Sequence, residues 1–412
     1  MIEARNSTAA ERDIARSFDP TSLPAGFHDD PYPVYRALQR WEPVHRCPDG
    51  SYFLTRFADL EAIYRDATGF RSGKKEEFKP KFGEGTPLYE HHTTSLVFND
   101  PPLHTRVRRL IAGALTPRAI REMEPGLIAL VDRLLDRMAD MRQVDLIEDF
   151  ASAIPVEVIG NLLRVPHEER GPLRGWSLAI LGALEPKLTP EQLAAGNRAV
   201  AEFLDYLRGL VTERRRNLGD DSDVLSRLIR GEADGEKLTE AELLQNCIFL
   251  LNAGHETTTN LIGNGLHLLL NHADQLARLR AEPGLIRTAV EECLRCESSN
   301  QLGNRTVATD CVIGGVAIPR GTYLTLCIGA ANRDPAEFPD PDRFDVARQP
   351  NRHLAFGGGP HICAGLSLAR LEGQVAIGRA VARFPKLRLD GAPVRGGRVL
   401  FRGFKSLPAA VG

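Results

Sequence analysis

Apolar positions change period along the chain. In "PVHRCPDGSYFLTRF" (43–57) apolar runs flank a Pro-Asp-Gly turn, which predicts two short strands. From about residue 105 to 290 the period is helical. Within that stretch "TPEQ" (Thr189 to Gln192) and "TEAE" (Thr239 to Glu242) read as capping boxes, each opening a long helix, with the turn-forming "NLGDDSDV" between those helices. After residue 305, "RTVATDCVIGGVAIPRGTYLTLCIGAA" alternates strand-like runs with Gly-Gly and Arg-Gly turns, and the proline-rich "RDPAEFPDPDRFD" predicts a meandering loop. A helix with Leu368, Leu371, Val375 and Ala382 on one stripe follows, then a tail, "LRLDGAPVRGGRVLFRGF", with strand and turn signals. No internal repeat and no flexible linker interrupts this order. The pattern predicts one large mixed domain that is mainly α with smaller β regions.

Composition narrows the class. With 412 residues, 42% hydrophobic and 26% charged, the chain can bury a substantial core, and a formal net charge of −2 supplies no bulk attraction to nucleic acid or an anionic membrane. The beginning, "MIEARNSTAAERDIARSFDP", has no apolar signal region, and "CIFLL" and "LHLLL" are too short to span a bilayer, so a cytoplasmic protein is expected. The 7 cysteines are an odd number scattered without a secretion signal, which argues against a disulfide framework. "CLRC" (293–296) has the spacing of a zinc or redox pair, but zinc would need a second such pair.

The densest chemistry lies in "HLAFGGGPHICAGLSLAR" (353–370). Gly357, Gly358 and Gly359 permit unusual backbone angles and close approach of a flat ligand. They form no dinucleotide fingerprint, since its third glycine would fall at Ile362, and no P-loop, since no Gly-Lys-Ser/Thr follows. What remains is a tight loop bringing Cys363 to a helix N-terminus, where free N–H groups favour a thiolate by roughly 0.3–1 kcal/mol. A free thiol of pKa about 8.5 is only a few per cent ionised at neutral pH, whereas metal ligation deprotonates it. A lone cysteine thiolate is an axial ligand of haem iron in some proteins; a cysteine merely packed at a helix start is the competing reading.

"FGGGPHICAG" resembles the haem-binding signature of the cytochrome P-450 family through Phe356, Gly357, Gly359, His361, Cys363 and Gly365. Two further motifs agree. "EECLR" resembles the family's Glu-x-x-Arg through Glu292 and Arg295, and "LLNAGHETTTN" its oxygen-binding stretch. The likeness, to soluble bacterial members, runs from about residue 18 to the end. It leaves residues 1–17 as an N-terminal extension with room for flexibility and 18–412 as the haem-thiolate domain, with haem between two long helices. By this resemblance Cys363 is the proximal iron ligand, Phe356 packs beside its sulfur, and Glu292 and Arg295 are buried with Arg343 in a network pinning the meander. Ala253 and Gly254 leave room above the iron, while Glu256 and Thr257 supply the acid and alcohol that relay protons for dioxygen activation. Read alone, Gly254, His255, Glu256 and the threonines after them are mostly poor helix formers inside an otherwise consistent helix, where function is expected; threonines bonding back to their own helix are the competing reading. His255 is taken as packing or outward-facing.

The resemblance also implies cationic partners for the haem propionates: His104 and Arg108, four apart on one helical face, with Arg305 and His361. It implies heme b, a small, largely hydrophobic organic substrate, O2, and a monooxygenase reaction, hydroxylation or oxidative dealkylation. The chain has no flavin or nicotinamide fingerprint, so two electrons would come from an iron-sulfur ferredoxin and its NAD(P)H-dependent reductase. Arg106 and Arg109 are candidates for a docking face. A monomer with no nucleic-acid or membrane partner is expected. A peroxide-driven peroxygenase, a haem-based sensor and an electron-transfer protein are the alternatives. One departure stands out: "ESSN" has Ser299 where similar bacterial chains carry proline. Substrate contacts are expected from residues 85–98 and "WSLAILGALEPK".

Overall fold

The computed structural model describes residues 2–217, 224–230 and 238–412, with side chains from residue 8. It is mainly helical with small sheets, as the periodicity predicts. Chain contacts group it into two units, Met1–Ser72 with Asn264–Cys363 and Pro393–Lys405, and Gly73–Gly263 with Ala364–Ala392 and Ser406–Gly412.

The first unit holds a sheet of five strands. Val44–Arg46 and Tyr52–Leu54 pair antiparallel, Val44 opposite Leu54, through the turn in which Gly50 adopts φ +85°. Tyr52–Leu54 then runs parallel to Tyr323–Cys327, which pairs antiparallel with Leu302–Val307. Gly314, Gly315 and Gly321 take positive φ at the turns around Val316–Ile318, supplying the backbone freedom that hairpins need. Leu54, Leu60, Leu324, Leu326 and Phe338 fill a core between this sheet and the helix Phe57–Arg65. The meander from 333 to 350 carries no helix or strand.

The second unit is built on long helices. The helix Pro190–Arg216 begins at a complete capping box: the Gln192 N–H donates to Thr189 Oγ1 and the Thr189 N–H donates to Gln192 Oε1. At Glu240–Asn271 Thr239 and Glu242 exchange the same pair of bonds. Most of "NLGDDSDV" lies outside the described residues; a short helix, Val224–Arg230, begins at its last residue. The helix Leu366–Arg383 packs on Pro117–Ala139, but its buried face differs from the predicted stripe. Leu368, Glu372, Val375, Ala376 and Ala380 are buried, while Leu371 is half-buried and Ala382 exposed. The apolar pattern missed this face because a glutamate sits in it.

Candidate functional site

In the first unit, the cysteine loop is wound into successive tight turns. The Gly357 N–H donates to the Leu354 carbonyl (2.8 Å), that of Ile362 to Gly359 (3.1 Å) and that of Cys363 to Phe356 (2.9 Å). Gly357 and Gly359 stand at φ +66° and +61°, the left-handed region that glycine enters without strain. The close approach expected of a ligand is made here by protein: a Cβ on Gly359 would fall 1.9 Å from the Tyr64 carbonyl oxygen. Cys363 is left half-buried at the end of this loop, three residues ahead of the helix Leu366–Arg383.

Tyr64 is the hub that sequence reasoning missed. Its buried ring touches the loop at Gly358, its hydroxyl occupies the space where a Cβ on Gly303 would stand, and the Arg305 guanidinium lies over it, 5.0 Å from the centroid. Burial pushes the phenol up to about 12, so it stays neutral. Arg305, buried on the strand Leu302–Val307, donates to the Asn304 carbonyl (2.7 Å) and is thereby held against the cysteine loop's own support. His361 is half-buried in the turn Gly359–His361. His353 was missed too: its ring lies 5.9 Å from that of Phe356 and its Nε2 is 3.2 Å from Glu291 Oε2, so it braces Phe356 from behind.

The Glu-x-x-Arg pair is fully buried. Arg295 donates to both carboxylate oxygens of Glu292 at 2.8 Å and to the carbonyls of Asn332, Pro341 and Arg343. Arg343, expected as the third charged member, contributes only that carbonyl; its side chain is 63% exposed. Arg348 takes the place instead, donating from Nε to Glu292 Oε1 at 3.0 Å. The reason is side-chain direction: the backbone is already at Glu292 by Asp345, whose N–H donates to Oε1 at 3.0 Å, but the Arg343 side chain points outward and that of Arg348 turns in. Cys293 and Cys296 are buried on this helix, Ile286–Cys296, and desolvation pushes the Cys296 thiol up to about 12. Arg295 also donates to Cys296 Sγ (3.0 Å).

In the first unit too, Ser299 joins a β-like pairing: its carbonyl accepts from the Arg402 N–H at 2.8 Å, and the Gln301 N–H donates to Leu400. Burial is favourable there only because the carbonyls find partners; the Ser299 hydroxyl has none among the described residues.

In the second unit, the middle of the helix Glu240–Asn271 shows one accessible stripe. Ala253 is exposed and Leu250, Gly254 and Thr257 are half-buried, whereas Leu251, His255, Glu256, Thr258 and Asn260 are buried. Small residues keep this stripe low. Gly254 has a second constraint, since a Cβ there would lie 2.6 Å from Ile159 Cδ1 on the helix Ala153–Leu162. Thr257 Oγ1 donates to the Ala253 carbonyl (2.6 Å) and Thr259 Oγ1 to that of His255 (3.0 Å). Thr257 is thus back-bonded, yet its oxygen keeps lone pairs that can accept. His104 is buried and Arg108 half-buried on the helix Leu103–Ala114, one turn apart. Arg106, a docking candidate, is paired with Glu242. The segment 85–98 is helical over Pro87–Thr94, and the Leu88 N–H donates to Asn197 Oδ1 while that of Leu96 donates to Asn246 Oδ1.

Comparison with known proteins gives these parts a common frame. The cytochrome P-450 family model matches residues 184–390. The biotin-biosynthesis cytochrome P-450 of Bacillus subtilis is 38% identical over 92% of this chain and 95% of its own. The chain belongs to the cytochrome P-450 family. It is a cytochrome P-450 monooxygenase, in keeping with relatives such as the 6-deoxyerythronolide B hydroxylase of Saccharopolyspora erythraea, 37% identical over 93% of this chain and 96% of that one. The fold agrees as well: the crystal structure of P450BioI in complex with an acyl carrier protein ligated to hexadec-9Z-enoic acid superposes with a TM-score of 0.88, at 36% identity, covering 94% of this chain and 100% of that one. Epothilone D-bound cytochrome P450epoK gives 0.87 at 34% identity, covering 96% and 99%.

Family membership implies haem, and each unit offers donors that suit it. The first has a half-buried cysteine on a glycine-wound loop with Arg305 and His361 near in sequence or packing; the second has a small-residue stripe flanked in the chain by a buried acid, and a His104–Arg108 pair. A cysteine, basic side chains and small residues are each of the kinds that suit an iron porphyrin with two carboxylates. Among the described residues no helix is long and apolar enough to cross a membrane.

Proposed function

We propose that this enzyme binds heme b through Cys363 and inserts one atom of O2 into a small, largely hydrophobic organic substrate, by hydroxylation or oxidative dealkylation. The observation that carries the reading is Cys363 itself, a half-buried thiol at the end of a loop whose turns are fixed by hydrogen bonds and by glycines at positive φ. His104, Arg108, Arg305 and His361 are the cations for the propionates, and Phe356, braced by His353, packs beside the sulfur. Bound there, a thiolate-ligated haem supplies dioxygen activation and C–H oxidation.

The chain's own work is to hold, exclude and protonate. Ala253 and Gly254 keep side chains off the accessible stripe. Thr257, anchored at the Ala253 carbonyl, presents a hydroxyl oxygen that can accept a proton as it gives one up, and buried Glu256, its neighbour in the chain, is the acid that replenishes it. Electrons come from an iron-sulfur ferredoxin and an NAD(P)H-dependent reductase, and the enzyme works as a cytoplasmic monomer. Expression with ample porphyrin should give a coloured protein whose ferrous carbonyl complex shows the red-shifted Soret band, and Cys363→Ser should abolish that band. A colourless wild-type protein would sink the reading.

A further inference from the structure

In the first unit, the chain that enters the cysteine loop is pinned residue by residue, and two of the pins stand on the helix Ile286–Cys296. Glu292 accepts from Asn351 Nδ2 at 3.1 Å, and Glu291, one position earlier, has its Oε2 3.2 Å from His353 Nε2. Arg352, between them, donates the other way, to Glu61 at 2.7 Å. The Leu354 N–H donates to Asn332 Oδ1 at 2.7 Å, and the Asn332 carbonyl in turn accepts from Arg295 at 3.0 Å. The Ala355 N–H donates to His353 Nδ1 at 3.3 Å. Such pins are needed because Gly357, Gly358 and Gly359, which let the loop turn, offer little resistance of their own to bending.

The bond from Ala355 settles the state of the His353 ring. A ring nitrogen that accepts carries no proton, so Nε2–H is the donor, and it donates to Glu291 Oε2. His353 thereby joins a carboxylate on the helix to a backbone amide of the loop, through a side chain only 2% exposed. The consequence passes to the next residue. The Phe356 ring lies 5.9 Å from that of His353, tilted by 50°, and the Phe356 carbonyl is the acceptor of the Cys363 N–H at 2.9 Å. Where Cys363 stands therefore depends on Phe356, and Phe356 is held both at its ring and at the residue before it by His353.

We infer that Glu291 and His353 are positioning residues for the proximal ligand: the pair fixes the Ala355 amide and the Phe356 ring, and so holds the Cys363 sulfur in place for iron. This rests on the haem-thiolate reading and deepens it. Groups hydrogen-bonded behind a metal ligand orient it, and losing one typically costs about 10–100-fold in metal affinity or activity. What the pair needs is an acceptor at position 291 and a ring with both nitrogens at position 353. A carboxamide oxygen at 291 accepts from Nε2–H as a carboxylate does, whereas an alkyl group cannot.

The test compares haem-loaded wild type with Glu291→Leu, Glu291→Gln, His353→Phe and the double variant Glu291→Leu/His353→Phe, after far-UV circular dichroism has compared their folding. A wild type without the red-shifted carbonyl band overturns the haem-thiolate reading and this inference together; with that band present, every other outcome bears on the pair alone. Two readouts do not depend on turnover: the share of the ferrous carbonyl complex whose Soret band is unshifted, and the ferric–ferrous potential. Glu291→Leu and His353→Phe, which keeps a ring against Phe356, should each raise the unshifted share about tenfold. Each should also raise the potential by about 59 mV, a tenfold change in a one-electron equilibrium, because a sulfur held less firmly donates less charge to ferric iron. Glu291→Gln should stay close to wild type, and the double variant should match the single ones, as expected of two residues sharing one hydrogen bond. Unchanged band and potential in both single variants, equal damage from Glu291→Gln, or additive shifts in the double variant overturn the inference. Failure of Glu291→Leu to fold overturns it too, since the pair would then serve stability alone.

Discussion

Glu372 is the residue whose chemistry is least expected from its position. It lies on the buried face of the helix Leu366–Arg383, its Oε1 has no partner among the described residues, and desolvation pushes its carboxyl from 4.5 up to about 8. The folded chain therefore keeps it protonated where the unfolded chain has already ionised it. Stability is greatest below about pH 4.5 for this group and falls as pH rises toward about 8, beyond which it levels off. Glu372→Gln should flatten that slope and stabilise the enzyme at pH 9 relative to pH 6 by on the order of a few kcal/mol against wild type. Urea unfolding midpoints of both proteins at the two pH values measure it; parallel midpoints would show that the carboxyl finds a partner. An amphipathic count could not have flagged this glutamate, because charge in a helical pattern reads as solvated face until packing is known.

Among elements, the meander shows what spacing reveals and what it conceals. Glu292 and Arg295, three apart on a helix, are legible as a facing pair, and "FGGGPHICAG" is legible as a loop that needs glycine. The third partner was not. Choosing Arg348 over Arg343 depends on how irregular chain returns to the helix, which has no period to read. Tyr64 escaped for the same reason, being distant in sequence from Gly303, Arg305 and the cysteine loop. The choice of Arg348 has a measurable consequence. Side chains of Glu292 and Arg348 are 0% and 11% exposed, so Arg348→Ala leaves a buried carboxylate short of one cation, and removing a partner from such a network costs about 3–5 kcal/mol. Arg343→Ala, at an exposed side chain, should cost less than about 1 kcal/mol. Denaturation midpoints together with haem content per chain should separate the two variants; equal losses would restore Arg343 to the network.

For the molecule as a whole, the electron supply decides how Thr257 can be tested. The sequence carries no flavin or nicotinamide fingerprint, so under the proposed function electrons arrive from a ferredoxin and leave either in product or as released peroxide. Delivery is set by the donor, whereas the partition is set by proton supply on the accessible stripe. Thr257→Ala removes the hydroxyl anchored on the Ala253 carbonyl without adding bulk. Oxygen consumption in the presence of substrate, ferredoxin and reductase should then stay within about twofold of wild type, while product per NAD(P)H falls by about a hundredfold, a general-acid contribution at the low end of its usual range. Peroxide should account for the missing electrons, and Thr257→Ser, which restores the hydroxyl, should recover most of the coupling. NAD(P)H alone should support no turnover. Unchanged coupling in Thr257→Ala would remove Thr257 from the relay and leave its hydroxyl as nothing more than a back-bond to its own helix, the competing reading of a threonine inside a helix.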